Sequence, residues 1–427
     1  MTVADSLQDL DFFSDPGLAE DPLDWYEAVR AQGPVWREPH HGVFVISGHE
    51  EAVQVLNDNA LFSSCLSVAG PYSGPAATFE GDDIAAQVAR VRDQLPLSEH
   101  LVTMDPPDHT KHRSLLMRLL TPRRLKENED YMAQLADERL VPLIAQGRVE
   151  FMDAYARSYA LLVVADLLGV PDDERDSFVA GLGVNVPGEL GADDAMPHNP
   201  LEFLDSFFSR YVEERRREPR QDVLTSLATT TFPDGSTPEV ADVVHIATFL
   251  FAAGQDTSAR LITHAARRLA EDKDLQAKMR ANPDRLGDLI EEELRLEPPV
   301  KSQFRLALTD TTVAGYDVPA GSIVMVLGGA ANRDPRAFGC PAEFDIDRPD
   351  PFAHLAFGRG AHACPGGSLA RFEARVTMRR LLELTDDISL DEEHHGPEGT
   401  RRFRYEPTFI LRGLTDLHLV FTPKAGS

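Results

Sequence analysis

Apolar positions recur at helical spacing over residues 21–32 and again over 49–57, and between them Gly42-Val43-Phe44-Val45-Ile46-Ser47 is a β-rich run. The pattern predicts two short helices around a strand, and so a small N-terminal sheet. Residues 64–100 carry Gly70-Pro71, Gly74-Pro75 and Gly81-Asp82-Asp83, which predicts a long turn-rich segment with one helix over 84–93. Ordered loops of that length often border active sites. From 108 to 166 the spacing is helical, with Pro106-Pro107 and Pro122 marking helix starts. Residues 181–200, with Gly183, Pro187, Gly188, Gly191 and Pro197, read as a mobile connection or lid.

Thr237-Pro238 opens the longest helical pattern, which runs to about residue 273. At about 1.5 Å per residue it predicts a helix on the order of 50 Å, enough to cross a whole domain. Beyond Pro298-Pro299 come a strand-like run at 322–327, a glycine-rich loop, a helix over 368–382 and a β-like tail over 403–422. No internal repeat, low-complexity tract or Pro/Ser-rich linker divides the chain. The expected fold class is mainly α with smaller β-sheets in a single domain over 1–427. Its helical part covers 105–297 and 367–386, and its β-rich part 30–60, 300–330 and 400–425. A split near residue 200 is the alternative, with the long helix wholly in one half.

Charge narrows the partners. The 427 residues hold 70 acidic and 42 basic side chains, a net charge of −28, which opposes binding to nucleic acid or to anionic membrane surfaces. Cys65, Cys340 and Cys364 lie far apart with no CxxC pair, so neither a disulfide framework nor a structural zinc site is indicated. The acidic start of the chain lacks the features of a secretory signal. The most apolar run, 160–170, is interrupted by Asp166 and is too short to span a bilayer. A soluble, cytoplasmic protein is expected.

The candidate chemistry centres on Cys364, which sits in Phe357-Gly358-Arg359-Gly360-Ala361-His362-Ala363-Cys364-Pro365-Gly366-Gly367, just before a predicted helix. Glycines on both sides permit close approach of another surface, and a helix N-terminus favours an anionic sulfur. By themselves these residues fit a thiolate metal ligand, a cysteine nucleophile beside a histidine, or a phosphate loop. The full spacing, Phe357-x-x-Gly360-x-x-x-Cys364-x-Gly366 with His362 before and Leu369-Ala370-Arg371 after, resembles the haem-binding loop of the cytochrome P-450 family.

Other motifs follow in the family's order. Inside the long helix stands Ala253-Gly254-Gln255-Asp256-Thr257. A mid-helix glycine costs roughly 1 kcal/mol relative to alanine, and close helix packing is its bland explanation. The acid and alcohol after it suit proton delivery at an apolar pocket. The resemblance implies that Asp256 and Thr257 relay protons to dioxygen, and that Ala253 and Gly254 open a groove for it. Glu292 and Arg295 stand i, i+3, a weak signal alone, which the family buries and completes with an arginine; Arg348 is the candidate. His109 and Arg113 share a helical face. They, with Arg305 and His362, match positions that hold the haem propionates in relatives.

The resemblance covers residues 105–375 in motif order and implies a triangular α-rich prism with a long central helix over haem b. It implies a haem-thiolate monooxygenase that inserts an oxygen atom into a hydrophobic small molecule. Electrons would come from NAD(P)H through a ferredoxin reductase and a ferredoxin. Six basic residues and no acid between His109 and Lys126 (Lys111, Arg113, Arg118, Arg123, Arg124, Lys126) offer a docking face for an acidic ferredoxin. Pocket walls are expected from the regions of residues 64–103 and 170–200, around Phe249, between residues 300 and 304, and near Phe409. A peroxide-driven or rearranging haem-thiolate enzyme, or a non-catalytic haem sensor, is the alternative. Pro365 cannot donate an N–H to the sulfur, which predicts an electron-rich thiolate.

Overall fold

The computed structural model describes residues 7–74, 77–171, 174–175, 196 and 198–425. The predicted helices at the N-terminal end form at Leu23–Gln32 and His49–Asn57, and the strand between them at Phe44–Ile46. The helical stretch after residue 108 divides into Asp108–Leu116, Pro122–Glu127, Glu129–Gln146 and Arg157–Leu167, with a short strand and a π-helical turn, Met152–Ala156, before the last. The longest helix, Val240–Glu271, has 32 residues and starts on a capping box between Glu239 and Asp242. Two of its four orphan donors at the N-terminus are thereby satisfied.

Gly254 lies inside that helix, where a Cβ would come within 3.0 Å of Val164 Cγ2 on Arg157–Leu167. Close helix packing therefore accounts for the glycine, and the groove for dioxygen that the resemblance implied at Gly254 is not needed to explain it. Around this contact the main core gathers Tyr155, Tyr159, Val164, Phe251 and Ile262, each shielded from solvent.

A mixed sheet flanks the helical body. Its order is β1 (Val35–Arg37), β2 (Phe44–Ile46), β8 (Ile323–Val326), β5 (Gln303–Ala307) and β3 (Phe62–Ser63). β2 pairs parallel with β8 through Phe44↔Val324, and β8 pairs antiparallel with β5 through Val324↔Arg305. β6 (Thr311–Val313) and β7 (Tyr316–Val318) form a hairpin. A third sheet joins β4 (Arg148–Glu150), β10 (His418–Pro423) and β9 (Thr385–Leu390). β4 falls within a stretch whose periodicity read as wholly helical, and β9 follows the last long helix directly. Of the β-like tail over 403–422, a strand forms at the end and isolated bridges link Tyr405↔Leu414 and Val300↔Leu411.

The connection expected over 181–200 lies outside the described residues except for 196 and 198–200. His198 there accepts from the Leu97 amide at 2.7 Å and meets Ser98 Oγ at 3.0 Å, which ties it to the turn-rich segment. No described helix is long and apolar enough to cross a membrane.

Candidate active site

The cysteine loop is built on positive-φ glycines. Gly358 and Gly360 have φ of 65° and 67°, a region closed to most residues. A Cβ on Gly360 would also lie 2.5 Å from the Leu56 carbonyl oxygen, so glycine is required twice over. The Cys364 amide closes the loop on the Phe357 carbonyl at 2.7 Å, and the helix Gly367–Leu384 begins three residues later. Cys364 keeps an accessible side chain. Burial by the surrounding protein pushes its thiol pKa up, opposed by the Gly366 amide, the Arg113 and Arg371 guanidinium groups and the Gly367 amide. Pro365 withholds one donor, but two later amides still serve the sulfur.

Four basic side chains gather beside it. His109 and Arg113 come from the helix Asp108–Leu116, Arg305 from β5, and His362 from the loop. The His109 and His362 rings lie 3.9 Å apart. Arg113 Nη2 donates to the Ala363 carbonyl at 2.5 Å, and Arg305 Nη1 to Phe304 at 2.7 Å. Both ring nitrogens of His109, Nε2 of His362 and Nε of Arg305 have no hydrogen-bond partner.

Burial, then neighbouring positive charge, lowers His109 to about 4 and His362 to about 3. Burial lowers Arg305 to about 10, with Asp105 opposing. That aspartate is itself held by Ser63 Oγ and by the Ser64 amide at 2.9 Å. Buried donors without acceptors cost about 1–3 kcal/mol each, so this cluster is organised for an anion. Cys364 beside such donors suits a metal-bearing group with carboxylate arms.

Behind the loop, Glu292 and Arg295 are buried and bidentate at 2.7 and 2.8 Å, and Arg348 Nε meets both Glu292 oxygens at 3.2 Å. This is the triad expected from the sequence. A second one was not foreseen: Glu291 accepts from Arg371 at 2.6 and 2.8 Å and contacts His354 at 2.9 Å. Arg371 in turn lies 4.4 Å from the Phe357 ring centroid, so this ion pair braces the start of the cysteine loop.

Asp256 and Thr257 occupy a different neighbourhood on Val240–Glu271. Thr257 Oγ1 donates to Ala253 at 2.8 Å, and Asp256 Oδ2 accepts from Arg260 Nε at 2.8 Å. Nearby is another group missed by sequence reasoning, Glu373 on Gly367–Leu384. It is fully buried, and burial raises its carboxyl to about 8 with the Ser258 hydroxyl opposing.

Two expectations change. In the regions of 300–304 and Phe409, expected to line a pocket, Phe304 and Phe409 themselves pack with Phe13 at ring separations of 6.2 and 5.2 Å in a buried aromatic cluster. The basic run after His109 is not one free face either. Lys111 sits 4.0 Å from the Phe232 ring centroid, Arg118 donates to Thr230 at 2.7 Å, Arg124 donates to Ser226 at 2.9 Å, and Arg113 points inward.

Known proteins place the chain in a family. The cytochrome P450 family profile matches residues 194–384. Cytochrome P450 144 of Mycobacterium tuberculosis is 34% identical over 91% of this chain and 87% of its own length. This chain belongs to the cytochrome P450 family. The vitamin D(3) 25-hydroxylase of Pseudonocardia autotrophica is 33% identical over 76% of this chain and 78% of its own. The solved structure of Mycobacterium marinum CYP150A6, substrate-free, superposes with a TM-score of 0.92 at 51% identity, covering 98% of this chain and 100% of that one. The protein is accordingly a cytochrome P450 monooxygenase with the P450 fold and a haem cofactor.

Proposed function

We propose that Cys364 is the thiolate ligand of haem b, that His109, Arg113, Arg305 and His362 hold its two propionates, and that residues 1–427 act as one catalytic unit. The observation that carries this is the cluster of four basic side chains beside Cys364, in which both ring nitrogens of His109, Nε2 of His362 and Nε of Arg305 are buried without a partner. Two guanidinium groups and two neutral imidazoles offer charge-assisted and neutral hydrogen bonds to carboxylates. Bound haem would supply the activation of dioxygen. Asp256 would take up a proton from solvent on its carboxylate and pass it inward, and the Thr257 hydroxyl would turn from Ala253 to hand it on.

The product would be a hydroxylated or epoxidised apolar small molecule. The relative named as a 25-hydroxylase supports hydroxylation, and the apolar Phe249 and Ala253 on the long helix suit a hydrophobic substrate. Electrons would arrive from NAD(P)H through a reductase and a ferredoxin. Three free cysteines support a reducing, cytoplasmic setting.

The test is spectroscopic. Reduced, carbon monoxide-treated wild type should show the thiolate-type absorption band, and Cys364→Ser should abolish it. Survival of the band in that variant would overturn the ligand assignment. Titration of the oxidised holoenzyme with terpenoid, macrolide, aromatic and fatty-acid compounds, read as displacement of the water ligand, then finds the substrate class. Product formation from a hit requires NAD(P)H, reductase and ferredoxin. Product made with peroxide alone, and none with those partners, would favour the peroxide-driven alternative.

A further inference from the structure

Arg260 stands one helical turn beyond Asp256 and is 1% exposed, yet it carries more ion-pair contacts than a single acid needs. Its Nε and Nη2 both reach Asp256 Oδ2, at 2.8 and 2.7 Å. Nη2 also meets Glu406 Oε2, and Glu406 Oε1 accepts from Arg157 Nη2 at 2.8 Å. Arg157 then pairs with Asp153, whose side chain is 67% exposed. Asp153 lies inside the π-helical turn Met152–Ala156 and Arg157 directly follows it, a departure from α geometry often found at functional sites. A continuous chain of alternating charge thus runs from the surface to one oxygen of Asp256. Asp256 Oδ1 has no hydrogen bond among the described residues, and the side chain is 31% exposed.

A guanidinium does not give up its proton near neutral pH, so this chain cannot conduct protons along its length. Its chemistry is that of a clamp: one carboxylate oxygen is fixed and the other is left free to exchange a proton. Gly413 makes room for it. A Cβ there would lie 2.6 Å from Arg260 Cγ and would also strike Nη1, while Gly413 receives the Glu406 amide on its carbonyl at 3.0 Å. One backbone position therefore both anchors Glu406 and admits Arg260.

We propose that Arg260, backed by Glu406 and admitted by Gly413, is the positioning residue that aims Asp256 for proton delivery. This rests on the reading of Asp256 as the acid that passes protons inward. Oδ1 takes each proton from solvent and passes it inward, so the carboxylate is ionised again after each transfer. Without the clamp the carboxylate swings, and a displacement of about 1 Å in a reacting group can cost on the order of 100-fold.

The experiment uses holoenzyme without added substrate. Gly413→Ala displaces the guanidinium while keeping every charge; Arg260→Met, Arg260→Lys, Glu406→Gln and Asp256→Asn complete the set. Two quantities are read: the infrared C–O stretch of the reduced carbon monoxide complex, which senses the field of nearby polar groups, and dioxygen consumption in H2O and D2O driven by NADPH with a ferredoxin pair. Gly413→Ala, Arg260→Met and Glu406→Gln should shift or split the stretch. They should also slow consumption by roughly tenfold to a hundredfold with a larger solvent isotope effect, and Arg260→Lys should recover part of both. If Asp256→Asn changes both readouts while Gly413→Ala and Glu406→Gln match wild type, the positioning role is wrong. If Asp256→Asn itself matches wild type, the assignment of Asp256 falls instead.

Discussion

The His109 and His362 rings face each other at 3.9 Å, tilted by 34°, one from a helix and one from the cysteine loop. Two protonated imidazoles could not share that spacing, and burial keeps both neutral, at about 4 and about 3. The stack therefore offers N–H donors without adding charge, while Arg113 and Arg305 supply the charge. Haem retention should follow this division of labour. Arg113→Met and Arg305→Met should each speed haem transfer to apomyoglobin by roughly tenfold or more, since hydrogen bonds to charged groups are worth about 1.5–3 kcal/mol. His109→Ala and His362→Ala should speed it less. Equal rates across all four variants and wild type would remove the propionate assignment.

The sulfur's donors predict a redox shift. Gly366 and Gly367 amides already favour the thiolate, and Pro365→Ala would bring a further N–H next to it. Hydrogen bonds to sulfur withdraw charge from the metal. The midpoint potential of Pro365→Ala should be higher than wild type by potentiometric titration. An unchanged or lower value contradicts the argument.

Glu373 predicts a pH dependence of stability. Its folded pKa of about 8 is above the ordinary 4.5, so between those values the folded state holds a proton that the unfolded state has released. Stability from this group is full below about pH 4.5 and is lost as pH rises to about 8, at about 1.36 kcal/mol per pH unit. Thermal unfolding of Glu373→Gln and wild type should nearly coincide at pH 5, with the variant gaining progressively up to pH 8. Parallel curves would show that the carboxyl is not buried as described.

Removing one partner from the Glu292–Arg295–Arg348 triad should be costly. Arg295→Met leaves Glu292 buried with one cation fewer, a loss of about 3–5 kcal/mol. Arg295→Lys should not rescue it, because a lysine cannot reproduce the bidentate pair and the backbone contacts to Asn332, Pro341 and Glu343. Urea unfolding of the three proteins, with the fraction of holoenzyme recovered, measures both effects.

Electron supply gives a salt-dependent prediction. Arg123 and Lys126 are exposed, and Arg124 donates to Ser226. Arg123→Glu with Lys126→Glu should slow reduction by an acidic ferredoxin by roughly tenfold at low ionic strength, fading at high salt. Stopped-flow reduction that is unchanged at low salt would place docking elsewhere.

The sequence carried most where the relevant residues stand at local spacing, which the structure keeps together. Cys364, His362 and the loop glycines lie within a few residues of each other, and Glu292–Arg295 and His109–Arg113 follow the turn of a helix. It failed where meaning comes from folding distant segments together. Glu291 gains its role from Arg371, Arg260 from Glu406, and Glu373 from burial against the long helix; nothing in their neighbours announces this. The packing partner of Gly254 was hidden for a related reason, since Val164 lies in another helix. The basic run after His109 looked uniform in one dimension but wraps around a helix and across a turn, so its members face different partners.

The parallel pairing of β2 with β8 also carries a temporal consequence. Phe44–Ile46 can pair early with Val35–Arg37, but its other edge has no partner until Ile323–Val326 has been synthesised, and at about 5–20 residues per second that is a wait of roughly 15–60 s. Through that interval the outer edge of this early hairpin stays unpaired, a state prone to aggregation. The strand bearing Arg305 joins the same sheet. Capture of the cofactor is therefore a late event in the life of the nascent chain, and the yield of loaded protein should depend on keeping the early strands soluble until then.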